Sequence, residues 1–182
     1  MFCFGRYLRN LDGFAININL MKFLIISDIH DNLVNLKKSI FWGKNEKVEN
    51  AICCGDVVNA ETLKYLSENF KIIYLVRGNL EIYDESEIKK YKNINYLNRF
   101  GVFEVDGRAI GACHEPWFIK NVLEIKKCEV IFYGHTHEPW IEEKDGITMA
   151  NPGTLGGVFN KASFAIFDGE TGKLELKILE LI

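Results

Sequence analysis

Residues 22–79 alternate three short apolar runs with two stretches of helical spacing, and each run stops at residues competent to bind a metal. The runs are KFLIIS (22–27), NAICC (50–54) and KIIYLV (71–76). Between them, LVNLKKSIFWG (33–43) carries Leu33, Leu36, Ile40 and Phe41 at helical spacing, and AETLKYLSENF (60–70) carries Leu63, Leu66 and Phe70. Strand, helix, strand, helix, strand at this pace predicts a parallel sheet with helical crossovers, which excludes all-α and all-β folds for this half.

The second half changes pattern. FGVFEVDGRAIGACHE (100–115) reads as two strands about an Asp106–Gly107 turn, the strongest short hairpin signal. WFIKNVLEIKK (117–127) reads as a helix and EVIFYG (129–134) as a strand. WIEEKDGITMANPG (140–153) holds a second Asp-Gly turn, and SFAIFDGETGKLELKILEL (163–181) a closing hairpin. There is no internal repeat and no linker. The 182 residues suit one domain, expected over 21–182, with βαβαβ first and then hairpins feeding two sheets.

MFCFGRYLRNLDGFAININL (1–20) has neither the apolar core (roughly 7–15 residues) nor the cleavage site of a signal peptide. It is expected to be a poorly ordered N-terminal extension, with Met21 as the functional start. A native protein whose mass places its N-terminus at Met1 would contradict this. The five cysteines, Cys3, Cys53, Cys54, Cys113 and Cys128, are odd in number and form no C-x-x-C pair. Reduced thiols and a cytoplasmic location are expected. Cys53 and Cys54, adjacent in one run, should point to opposite faces. A net charge of −3 gives no general reason to expect nucleic acid or an anionic membrane as partner, and no apolar run approaches the ~20 residues that span a bilayer.

The polar residues at the run ends carry the chemistry. They are Asp28 and His30, Asp56, Asn79, His114, and the pair His135 and His137, which includes all four histidines of the chain. Each has an ordinary alternative. Asp28 is a possible helix cap, although Asp31 or Asn32 is better placed; Asp56 suits a turn; Asn79 tolerates a left-handed backbone; a lone His114 suits a core. In open α/β sheets, ligands collect at the carboxyl ends of strands, so the seven can converge across more than a hundred positions. Carboxylates, an amide oxygen and imidazoles suit a borderline divalent ion such as Mn, Fe, Ni or Zn. Seven ligands exceed one tetrahedral ion and suit two ions sharing a carboxylate. Such ions, ~3.5–4 Å apart, clamp a phosphate and activate a water.

In order, the motifs DIH (28–30), GD (55–56), GN (78–79), a single histidine after a strand (His114), GHTH (134–137) and NPG (151–153) resemble those of the calcineurin-like metallophosphoesterases, in particular their small prokaryotic phosphodiesterase branch. The resemblance implies a four-layer αββα sandwich of two mixed β-sheets flanked by helices. It implies that Asp28, His30 and His137 hold one metal, that Asn79, His114 and His135 hold the other, and that Asp56 bridges them. Asp56, Asn79 and His114 are the residues on which catalysis is expected to depend. The implied activity is hydrolysis of a small phosphodiester or nucleotide-like substrate by a metal-bridging hydroxide. Manganese is favoured, with Ni, Fe, Co or Zn also suitable. The alternatives are a non-enzymatic scaffold on the same fold, a phosphomonoesterase and a structural single-metal protein; the oligomeric state is left open.

Two positions depart from the family pattern. Many members read GNH, with a histidine to protonate the leaving oxygen, where this chain has GNLE (78–81). Leu80 cannot transfer a proton, so general-acid help of ~10²–10⁴-fold must come from elsewhere or be missing. Glu81 is a conceivable substitute, although a solvent-exposed acid is the expected reading. Glu115 stands where the branch has glycine. Arg77 is a candidate phosphate contact, with a surface charge as its alternative.

Overall fold

The computed structural model describes residues 21–182, so the expectation for 1–20 lies outside the described residues. The strands are β1 (Lys22–Ile26), β2 (Asn50–Cys53), β3 (Ile72–Leu75), β4 (Ile94–Tyr96), β5 (Phe100–Val105), β6 (Arg108–Cys113), β7 (Val130–Phe132), β8 (Trp140–Lys144), β9 (Ile147–Asn151), β10 (Ser163–Asp168) and β11 (Leu174–Ile178). The helices are α1 (Leu33–Asn45), α2 (Ala60–Asn69), α3 (Glu85–Ile88) and α4 (Ile119–Ile125), with short 3₁₀ turns at Pro116–Phe118 and Leu179–Leu181. The first sheet has the order β11-β10-β1-β2-β3-β4 and the second β5-β6-β7-β9-β8. Strands β1 to β4 run parallel, as do β6, β7 and β9, while β10, β11, β5 and β8 pair antiparallel.

β1 shows why two sheets form. Phe23, Leu24, Ile25 and Ile26 are all fully buried, the mark of a strand covered on both faces. Leu24 and Ile26 pack with Leu36, Ile40, Leu63 and Leu66 of α1 and α2. Phe23 and Ile25 pack instead with Phe103, Ile110, Val130 and Phe132 of the second sheet. A third cluster, with Val122 of α4 against Cys113, Ile131 and Ile147, covers the outer face of that sheet. Three apolar interfaces between helix, sheet, sheet and helix make the four-layer αββα sandwich. Burying each of these large side chains contributes ~1.5–3 kcal/mol. Cys53 joins the first cluster and Cys54 the second, so the neighbours do point to opposite faces.

Both Asp-Gly turns close hairpins, with Asp106, Gly107, Asp145 and Gly146 all at positive φ. Asn32 caps α1 by accepting from the Asn35 N–H, and Asn59 caps α2. Asp31 therefore does not cap α1; it accepts from Asn59 and from the Thr62 hydroxyl, tying the loop after β1 to α2. Phe41 does not join the buried face of α1: it is 70% exposed, and Trp42 packs on the core instead. The buried stripe runs Leu36, Ile40, Gly43, and Phe41 sits ~100° around the helix from Ile40. The helix expected over 117–127 opens as a 3₁₀ turn at Pro116 and ends at Ile125.

Candidate metal centre

Asp28, Asp56, Asn79, His114 and His135 all follow the carboxyl ends of β1, β2, β3, β6 and β7, and the fold brings these ends to one edge. Backbone hydrogen bonds lash the loops together. Asp28 N donates to Gly55 O at 3.1 Å, and the Asp56 carbonyl accepts from both Ile29 and His30. Gly134 N donates to His114 O at 2.9 Å. Five of the seven predicted ligands stand at left-handed φ: Asp28 at 52°, His30 at 47°, Asp56 at 53°, His135 at 70° and His137 at 61°. Each such residue costs ~1–3 kcal/mol. Strain repeated at five chemistry-bearing positions marks a site that the surrounding fold holds in place.

All seven predicted residues converge, in two contiguous groups. In the first, His137 Nε2 lies 3.2 Å from Asp28 Oδ1 and 3.2 Å from His30 Nε2. In the second, Asn79 Oδ1 lies 2.8 Å from His114 Nε2 and 2.8 Å from His135 Nδ1. Donor atoms sharing one ion through ~2.0–2.2 Å bonds stand about 3 Å apart, so both groups have the required spacing. Asp56 lies between them, with Oδ1 3.5 Å from His114 Nε2 and Oδ2 3.9 Å from His30 Nε2. Asp28, Asp56 and His114 also offer atoms within 4.8 Å of one another, which joins the groups.

The electrostatics fit bound cations. Asp28 is fully buried and Asp56 3% exposed. Among the described residues neither pairs with a lysine or arginine; their only ion-pair neighbours are the histidines. Asp28 Oδ1 is buried without a hydrogen-bond donor, an expensive state for a carboxylate unless a cation meets it. The imidazoles are oriented for coordination. His114 Nδ1 donates to Cys54 O at 2.7 Å and His137 Nδ1 to Val158 O at 3.0 Å, which leaves each Nε2 lone pair facing the site. The three described cysteines nearest the site are poor thiolate donors: burial raises Cys53 and Cys54 well above the ordinary thiol range and pushes Cys113 up to about 12. A donor set of imidazole, carboxylate and amide oxygen suits borderline divalent ions.

Four supporting residues have roles their local sequence did not give. Glu81 is not a solvent-exposed acid. Its carboxylate accepts from the backbone N–H groups of Val57, Val58 and Gly78 at 3.2, 2.8 and 3.2 Å, joining the loop that carries Asp56 to the one that carries Asn79. Desolvation holds its pKa above the usual carboxylate range. Asn151 donates to Gly134 O at 3.0 Å and to the Thr136 hydroxyl at 2.9 Å, pinning the GHTH loop from the end of β9. Asn151→Ala should destabilise the fold by ~1–3 kcal/mol by orphaning buried polar groups, read as a lower midpoint in urea unfolding. Arg77 is engaged by Glu85, which also accepts from the Tyr96 hydroxyl, so its guanidinium is held by α3. Glu115 is buried and pairs with Arg99 at 3.0 Å.

Residues 21–172 match the model of the calcineurin-like phosphoesterase superfamily domain. The chain therefore belongs to that superfamily, and it is a metal-dependent phosphoesterase. It is 31% identical over 167 residues to Phosphodiesterase MJ0936 of Methanocaldococcus jannaschii, covering 88% of this chain and 100% of that one. A solved structure described as a novel archaeal phosphodiesterase superposes with a TM-score of 0.77 at 28% identity, covering 87% of this chain and 99% of the other. Vacuolar Protein Sorting 29 from Cryptosporidium parvum shares the fold at a TM-score of 0.64 and 21% identity, covering 87% of this chain and 96% of that one.

Proposed function

We propose that the protein is a dinuclear phosphodiesterase in which Asp28, His30 and His137 hold one divalent ion, Asn79, His114 and His135 hold the second, and Asp56 bridges them. The observation that carries this reading is Asp56, whose two carboxylate oxygens face the two groups separately. When bound, such ions, with manganese favoured, would activate a water for attack and offset negative charge on the phosphate oxygens. The chain's own residues do the rest. His114 and His137, fixed through Nδ1, hold the geometry rigid. The Leu80 N–H donates to Asp56 Oδ1 at 2.8 Å and fixes the rotation of the bridging carboxylate.

The Leu80 side chain offers no proton to a leaving oxygen, and the Glu81 carboxylate is taken up by three backbone N–H groups. Substrates whose leaving group departs as a stable anion should therefore be favoured, at the expense of alkyl esters that need a general acid. The similarity to a phosphodiesterase across its full length supports a diester rather than a monoester. The intact ligand set supports an enzyme over a scaffold, since shared fold alone carries no activity. The four described free cysteines are all buried, which suits a reducing compartment such as the cytoplasm. Among the described residues no helix is long and apolar enough to cross a membrane.

The test is hydrolysis of bis-p-nitrophenyl phosphate. Stimulation by manganese over metal-free protein is expected. Absence of turnover with Mn, Ni, Co and Fe alike would overturn the reading.

A further inference from the structure

Two exposed aromatic side chains stand against the metal centre, one at each of its halves. The Trp117 ring lies 5.2 Å from the His135 ring at 80°, and Trp117 is 57% exposed. The Phe159 ring lies 5.6 Å from the His137 ring, and Phe159 is 93% exposed. Both rings are placed by the segments that build the site. Trp117 sits in the 3₁₀ turn Pro116–Phe118, three residues after His114. Phe159 follows Val158, whose carbonyl orients His137.

Phe159 is also held at φ 64°, a backbone state unfavourable for a bulky side chain. A phenyl ring that is almost wholly in water, on strained backbone, beside a metal-binding imidazole gains nothing for the fold. Other exposed apolar residues, such as Phe41 on α1 and Trp140 on the edge strand β8, make no ring contact with the centre's histidines. The combination of a polar, cation-binding centre with an aromatic face at each half matches one kind of ligand: an anionic phosphorus centre carrying planar substituents.

We infer that Trp117 and Phe159 are specificity-determining walls that stack on the ester substituents of the substrate, selecting phosphodiesters with planar aryl or nucleobase groups. This rests on the phosphodiesterase reading for the identity of the ligand, but it concerns binding and is tested without turnover. Aromatic stacking on a planar group typically strengthens binding about tenfold per contact. The substituent is recognised by its π-face, so the preference is for planarity and extends to aryl groups as well as bases.

The experiment uses the manganese-loaded full chain and two non-hydrolysable diester mimics of equal charge, diphenylphosphinate and dimethylphosphinate, with affinities from calorimetry. Diphenylphosphinate should bind at least about tenfold more tightly. Trp117→Ala and Phe159→Ala should each weaken it about tenfold, leave dimethylphosphinate unmoved, and leave manganese affinity unchanged; Trp117→Phe should keep most of the preference. Phe159 is exposed enough that its removal cannot unfold the protein, so that variant alone decides the matter if Trp117→Ala misfolds. Equal diphenylphosphinate affinity in the wild type and in Phe159→Ala and the folded Trp117 variants would overturn the inference and assign the rings to a macromolecular contact. Ring-dependent binding without any diester hydrolysis would instead sink the phosphodiesterase reading and leave this one standing.

Discussion

Asp56→Ala is expected to lower diester hydrolysis by about 10³-fold or more. The carboxylate faces both halves of the centre, with Oδ1 3.5 Å from His114 Nε2 and Oδ2 3.9 Å from His30 Nε2. Charge stabilisation by a metal pair supplies several kcal/mol in the transition state, and each 1.36 kcal/mol is a factor of about ten. Asp56→Asn separates charge from shape. Its amide oxygen can still accept from the Leu80 N–H, which now bonds Asp56 Oδ1 at 2.8 Å, but it carries no negative charge to bridge two cations. The same loss is expected. Without metal, both variants should be no less stable than the wild type, because Asp28 and Asp56 are buried carboxylates with no lysine or arginine partner among the described residues. Thermal unfolding with and without manganese reads this directly: metal should raise the wild-type midpoint and move the variants far less. Full activity in Asp56→Ala would refute the bridging role.

Gly78→Ala should be almost as damaging, by a different route. A Cβ on Gly78 would meet Asp56 Oδ1 at 2.0 Å and the Asp56 backbone N at 2.2 Å. Neither can yield cheaply, because the Asp56 carbonyl is bonded to Ile29 and His30 and its side chain to Leu80. Overpacking of this kind costs ~1–3 kcal/mol or more in stability, and the forced shift falls on the central carboxylate. A loss of activity of at least about 10²-fold is expected, since displacements near 1 Å already cost that much. Gly107→Ala is the control, a glycine substitution away from the centre. Gly107 has a positive φ, at 82°, which Gly78 does not, and nothing lies within 4 Å of an added Cβ. It should lose ~1–2 kcal/mol of stability from backbone strain and keep its activity.

The fold was legible where burial demands a simple pattern. β1 is covered on both faces, so its four core residues form an unbroken apolar run that cannot be mistaken for an exposed strand. The two Asp-Gly turns were legible because their backbone geometry needs those residues. The seven polar residues were legible because each ends an apolar run, and strand ends of a parallel sheet share an edge. What was hidden depends on distance through space. Glu81 reads as one acid among several in a charged loop, yet it serves three N–H groups contributed by two loops. Phe41 fits the helical spacing but lies a third of a turn off the buried stripe. The short elements α3 and β4 bury few side chains, so little periodicity marks them. Trp117 and Phe159 gave no local signal, since a lone exposed aromatic is ordinary until its neighbour proves to be a site histidine.

In the proposed centre, the single carboxylate of Asp56 joins two metal positions. Elemental analysis of manganese-reconstituted protein, with the same preparation of Asp56→Ala beside it, tests it most directly. Two ions bound per wild-type chain and a lower occupancy in the variant are expected. One ion per wild-type chain, unchanged by Asp56→Ala, would contradict this.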